Sequence, residues 1–314
     1  MLIDLVPDFV AALGARDPLQ AYQRYLDEHR AVLAAYWHNY VIDLDSPHAE
    51  GVMLRALAAQ RRDLHALLER VDVKYIATDA LARCTDALGI DRPVSVYLMV
   101  GVGAANAGEL VVNGKGAAFI CLEHFTGRPN PETYGMGLSP DEIALWIAHE
   151  LAHVVRYTSP ESRSEFPRII QEARGFYDYW ESGSRASLRE LLVNEGLAVA
   201  AAHAVIPGHE PWSYLGYSRR QYRRMRELDA FLQRAVAPEL GHTGLGYRLR
   251  YLTGGMSPSA RLVNGKVIPE RAGYYLGLRM VEPLIEQGGI EQALRAAPLE
   301  FHDAAERAAG VQSA

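Results

Sequence analysis

His149-Glu150-Leu151-Ala152-His153 sets two imidazoles four residues apart with a carboxylate beside the first. On an α-helix residues i and i+4 share a face, so both rings can reach one cation. Glu150 lies about 100° around the helix from His149. From there a carboxylate can take a proton from water without binding the ion itself. The spacing is a metallopeptidase signature, with His149 and His153 as metal ligands and Glu150 as general base. The competing reading is a packing helix, in which each ring needs its own hydrogen-bond acceptor.

A catalytic zinc site needs a third protein ligand. A metzincin would carry Gly and then His at the positions of Arg156 and Ser159, so that class is excluded. Glu195 is the better candidate, an isolated acid in the run Leu191-Leu192-Val193-Asn194-Glu195-Gly196-Leu197-Ala198. A carboxylate buried in such a run requires a metal or a cationic partner, and pairing with an arginine is the alternative. Glu161, Glu165, Glu172 and Glu181 sit in more polar surroundings. His203, eight residues beyond Glu195, is a fallback ligand.

Two helices must hold these groups. Ser139-Pro140-Asp141-Glu142 predicts a capping box and a helix starting near Pro140, with Ile143, Ile147, Leu151 and Val154 making it apolar. Ser187-Leu188-Arg189-Glu190 predicts a second capping box ahead of Glu195. Gly196 costs that helix about 1 kcal/mol relative to Ala, and with Ala198 it lets another helix approach closely.

Ala148-His149-Glu150-Leu151-Ala152-His153, Glu195-Gly196-Leu197-Ala198 and Gly273-Tyr274-Tyr275-Leu276-Gly277 together resemble a known family. It is the gluzincin-type predicted zinc-dependent proteases, long described as a domain of unknown function and related to thermolysin-like peptidases. The resemblance spans roughly residues 90–285. It implies zinc held by His149, His153 and Glu195, Glu150 as catalytic base, and Tyr274 as donor to the oxyanion of the tetrahedral intermediate. Thermolysin-type enzymes place an Asp four residues after the glutamate ligand to orient an imidazole, and here that residue is Val199. Asn194, Asp178 and Glu172 are the candidates to replace it.

Read without the family, the tyrosine segment has helical spacing, with Tyr275 expected in the core and Tyr274 facing a site because a buried hydroxyl needs a polar partner. Arg271 holds the tyrosine or a substrate carboxylate, or is a surface cation.

Residues 93–100 and 117–122 are rich in β-branched and aromatic residues and read as strands. Asn113-Gly114 is a turn dipeptide, so residues 109–112 form a short hairpin strand and the sheet is expected to be mostly antiparallel. By the resemblance, the strand ending near Leu122 would lie at the edge and pair with substrate backbone. Residues 123–138, rich in Gly and Pro, read as a rim loop, with His124 solvated. The N-terminal region is helical in pattern, over residues 18–40, from Ser46 to about Val71, and from about Asp72 to Leu88, with Tyr22, Tyr25, Tyr36 and Trp37 in core positions. Arg219, Arg220, Arg223, Arg224 and Arg226 read as a solvated face.

The 314 residues, 49% hydrophobic and 22% charged, suit one large unit, and no linker or repeat divides them. A net charge of −6 argues against a nucleic-acid partner. Cys84 and Cys121 are too few for a disulfide framework and read as buried thiols. The first residues lack a basic region and are interrupted by Asp4, so no signal peptide or membrane span is expected and the location is cytoplasmic.

The expected fold is α+β, mostly helical, with a zincin-like core. Residues 1–90 form a helical scaffold and 91–314 the catalytic region: sheet 91–122, rim loop 123–138, zinc helix 139–157, third-ligand helix 187–204 and C-terminal helices. The expected function is hydrolysis of peptide bonds in a peptide or protein substrate. A non-catalytic zinc-stabilised module that binds a peptide or partner is the alternative, and hydrolysis of a non-peptide amide is a third reading.

Overall fold

The first residues join the sheet: β1 (Leu2–Asp4) opens the computed structural model, which describes residues 1–302. Helices α1 (Val6–Leu13), α2 (Pro18–Glu28), α3 (Arg30–Tyr40), α4 (Ala49–Ala58), α5 (Arg62–Arg70) and α6 (Val73–Ala87) follow. The helix expected over residues 18–40 is two helices meeting at His29, and the one expected from Ser46 to Val71 divides after Ala58. Apolar spacing continues across both breaks, so periodicity does not reveal them. Tyr22, Tyr25, Tyr36 and Trp37 are buried in the core.

Strands β2 (Val94–Met99), β3 (Ala107–Val112) and β4 (Lys115–Cys121) complete the sheet in the order β1-β2-β4-β3. β3 and β4 are the expected hairpin, with positive φ at Asn113 and Gly114 as a tight two-residue turn requires. The other two pairings are parallel, which corrects the mostly antiparallel expectation to a mixed sheet. Alternation reports which face is buried; it is silent on which strand lies alongside. β4 is internal, flanked by β2 and β3, so it offers no edge to a substrate. The strands at the edges are β1 and β3.

The sheet packs under α7 (Ile143–Thr158), and a Cβ on Gly116 would fall on Val154. The helix is preceded by a 3-10 turn, Pro140–Glu142, so it begins three residues later than expected. Ser139 Oγ accepts from Asp141 N at 3.4 Å, which shifts the cap from the expected box. Next come α8 (Phe166–Glu172), α9 (Glu181–Arg185) and α10 (Leu188–Val205). Half of the second expected box holds: Ser187 Oγ caps Glu190 N at 3.2 Å, while Ser187 N donates to Glu165 Oε2 and Glu190 turns inward.

Helices α11 (Pro211–Tyr214), α12 (Arg219–Val236) and α13 (Leu245–Leu252), the two-stranded β5 (Leu262–Val263) and β6 (Lys266–Val267), and α14 (Ala272–Arg295), interrupted at Gly289, complete the chain. The arginines of α12 are exposed, as expected. α10 packs between α7 and α14. Its approach to α14 depends on Gly196 and Gly277, since a methyl on either would enter the other helix's backbone. The architecture is α+β and mostly helical. Cys84 and Cys121 are free and fully buried. Among the described residues no helix is long and apolar enough to cross a membrane.

Candidate metal centre

α7 and α10 bring His149, His153 and Glu195 together, with one possible ligand atom from each within 4.8 Å of the others. Nε2 of His149 lies 3.4 Å from Glu195 Oε2, and Nε2 of His153 lies 3.6 Å from it. Charge-assisted hydrogen bonds of this kind run at about 2.7–2.9 Å. Donors on a tetrahedral zinc with bonds of about 2.0–2.1 Å sit about 3.3 Å apart. The observed spacing suits three ligands around an ion better than direct hydrogen bonds. Both imidazoles are buried, the Glu195 side chain is 12% exposed, and Glu195 Oε2 has no hydrogen-bond partner among the described residues. The residues present therefore fit a zinc ion.

Charge points the same way. Burial works against a proton on His153, yet Glu195, Glu109 and Glu150 around it push its pKa up to about 10. Burial likewise opposes ionisation of Glu195, and the two imidazoles outweigh it, holding the carboxyl far below its usual range. The cluster is built around a positive charge. Burial pushes Glu150 well above the usual carboxylate range, with Glu109 and Glu195 adding to the effect and His153 opposing it. A carboxylate in that environment is a stronger base than one in water.

A cavity of about 480 Å³ opens onto these groups. Tyr274 lines it and stacks on the His149 ring at 6.1 Å, while Tyr275 is buried in the core. Arg271 also lines the cavity rather than the surface, with its guanidinium 4.1 Å over the Tyr274 ring and Nη1 donating to Gly216 O at 3.2 Å. Its backbone adopts positive φ at the start of α14, which turns the side chain back toward the site. His124 is corrected as well. It is 2% exposed, lines the cavity, and its Nδ1 accepts from Met136 N at 3.3 Å.

His203 is exposed and packs edge-on against Tyr214, away from the cluster. Each proposed substitute for the missing second-sphere acid is engaged elsewhere. Asn194 donates to the Tyr157 hydroxyl, Asp178 accepts from His38, and Glu172 pairs with Arg168 and Arg185. Nδ1 of His149 and of His153 has no hydrogen-bond partner among the described residues.

Sequence reasoning passed over Glu109 as a functional residue. It projects from β3, and one atom each of Glu109, Glu150 and His153 lie within 4.8 Å of one another. The available signal was one acid inside an otherwise apolar strand, Ala107-Gly108-Glu109-Leu110-Val111-Val112.

Residues 176–303 match the model of a family described as "Predicted Zn-dependent protease (DUF2268)". The resemblance to predicted zinc-dependent proteases holds over that region. It includes Glu195 and the Tyr274 segment and begins after the His149-to-His153 helix. No curated protein and no solved structure matches the chain.

Proposed function

We propose that the chain is a zinc-dependent peptidase with a zincin-like core, in which His149, His153 and Glu195 hold the metal. The observation that carries this reading is the convergence of two imidazole Nε2 atoms and one carboxylate oxygen at distances suited to one ion. When bound, zinc would supply Lewis acidity toward the scissile carbonyl and toward water. Glu150 accepts a proton from the attacking water and delivers it to the leaving amine, a task suited to a buried carboxylate beside the metal ligands. The Tyr274 hydroxyl donates to the oxygen that gains charge, and Arg271 over its ring adds positive potential there.

The alternative, a zinc-stabilised module that binds a peptide without cleaving it, draws support from the unpartnered Nδ1 atoms, since oriented ligands tune catalytic zinc. Metal analysis of protein purified without added zinc, together with a peptide-hydrolysis assay, separates the two. Wild type is expected to carry one zinc, lost in His149→Ala and Glu195→Ala. Glu150→Gln is expected to keep the zinc and lose turnover by about 10²- to 10⁴-fold. Undiminished hydrolysis by Glu150→Gln would overturn the mechanism, and a metal-free wild type would overturn the site.

A further inference from the structure

Glu109 lies on β3, one of the sheet's two edge strands, is 8% exposed, and lines the cavity beside Glu150 and His153. The Tyr157 hydroxyl donates to Oε1 at 2.9 Å. The Tyr40 hydroxyl reaches Oε2 at 3.2 Å, but its single proton is shared with the Glu109 carbonyl at 3.0 Å. Both donors are neutral, and a carboxylate can accept about four hydrogen bonds. Glu109 takes part in no ion pair among the described residues. Arg248, which also lines the cavity, directs its terminal nitrogens elsewhere: Nη2 donates to the Tyr177 hydroxyl at 2.9 Å and Nη1 to Tyr179 O, the guanidinium lies 3.5 Å over the Tyr179 ring, and Nε has no partner among the described residues. A buried acid with spare acceptor capacity and no ion pair among the described residues is suited to a cation that arrives with a ligand.

The other polar groups of the cavity have the opposite sense. Trp146 is 4% exposed, and its indole N–H has no acceptor among the described residues. The Asn106 amide nitrogen is likewise unpartnered. One wall thus offers an acceptor for an ammonium, and other positions offer donors for a carbonyl. The amino end of a peptide carries an ammonium, then the scissile carbonyl assigned above to Tyr274, then further carbonyls that these donors can meet. The strand edge also limits what can bind: the outward carbonyls of Glu109 and Val111 already accept from Tyr40 and from Tyr177 N. An extended chain therefore cannot pair along β3 past these positions.

We propose that Glu109 anchors the free α-ammonium of the substrate, making the site one that removes residues from the amino end of short peptides. The proposal rests on the peptidase reading for its reaction and on Glu109 alone for its specificity. Binding comes first in the test. Calorimetry on the zinc-loaded Glu150→Gln variant compares alanyl-alanine amide with its N-acetyl counterpart, and the free-amino probe is expected to bind about 10- to 100-fold more tightly. Adding Glu109→Gln is expected to erase that preference, leave the acetylated probe unchanged and keep the zinc. Equal binding of the two probes would overturn the proposal without recourse to the Glu109 variant, and so would loss of zinc in Glu109→Gln, which would make Glu109 a metal ligand. Hydrolysis by wild type separates the two claims. If neither probe is cleaved but the binding preference stands, the peptidase reading fails and the amine anchor survives. If both are cleaved equally, the anchor fails and the peptidase reading survives.

Discussion

The helices α7 and α10 meet at two buried charge clusters, and the two are built differently. One is Arg156 with Glu190, both fully buried, joined by Nε to Oε1 at 2.8 Å. Arg156 Nη1 donates to the carbonyls of Leu294 and Ala296, and Glu190 Oε2 accepts from Glu165 N. Burial raises the Glu190 pKa and Arg156 counters it. One cation meets one anion, and most of the remaining valences go to backbone. The other cluster is His149, His153, Glu150, Glu195 and Glu109, where acids outnumber fixed cations and atoms such as Glu195 Oε2 are left unpartnered. A closed pair fastens helices; an open cluster with surplus negative charge is suited to a cation that the chain does not itself supply.

The contrast can be tested most severely at Arg156. Replacing it by Ala strands Glu190 in the interior and is expected to cost about 3–5 kcal/mol in urea unfolding, whereas Arg156→Met with Glu190→Leu should recover most of that loss. If the double variant is as unstable as the single one, the pair is more than a fastener. In the open cluster stability should instead follow zinc. Free zinc at about a thousand times its dissociation constant should add about 4 kcal/mol to wild type, and His149→Ala and Glu195→Ala should show no such gain. A zinc response that survives both changes would place the ion elsewhere.

Gly277→Ala acts on the spacing between the helices rather than on a charge. Its methyl would meet the Leu192 carbonyl, so a loss of about 1–3 kcal/mol is expected, with weaker zinc binding because Glu195 shifts with α10. Unchanged zinc affinity would show that the cluster tolerates a displaced helix. The smallest effect is expected at His38, a half-exposed counterpart bonded to Asp43 at 2.6 Å and Asp178 at 2.8 Å. Partial burial lowers its pKa, but the two aspartates outweigh this and raise it above the ordinary value. Its contribution is fully present below about pH 6.5, the unfolded value, and is lost as pH rises through the folded value. Wild type should therefore exceed His38→Gln in stability in mild acid, with the gap closing in mild base. Parallel curves for the two proteins would remove His38 from the account.

Of the site, the residues carried by local pattern were legible. His149, Glu150 and His153 share one turn-to-turn spacing, and Glu195 stands out as an acid in an apolar helix. Tyr274 and Tyr275 divide between cavity and core as the need of a buried hydroxyl for a partner suggests. Glu109 and His124 were not legible as cavity residues, and Arg271 was legible only as one of two readings, because each reaches the cavity through a strand order, a folded-back loop or a left-handed backbone turn that no periodicity encodes.

The sequence by itself determined the HExxH and third-acid helices, the β3–β4 hairpin with its Asn-Gly turn, and the burial of the N-terminal aromatics. Each depends on side chains within a few residues of one another, where helix pitch, turn geometry and apolar spacing are decisive. The tertiary structure decided that β1 and β2 run parallel to β4, that β3 is an edge strand, and that Gly196 meets Gly277. It also decided that Arg156 takes the Glu190 carboxylate while Glu109 pairs with no arginine among the described residues. The reason is that chain separation sets no preference among distant partners: packing chooses them, and the charges left over after packing define the site.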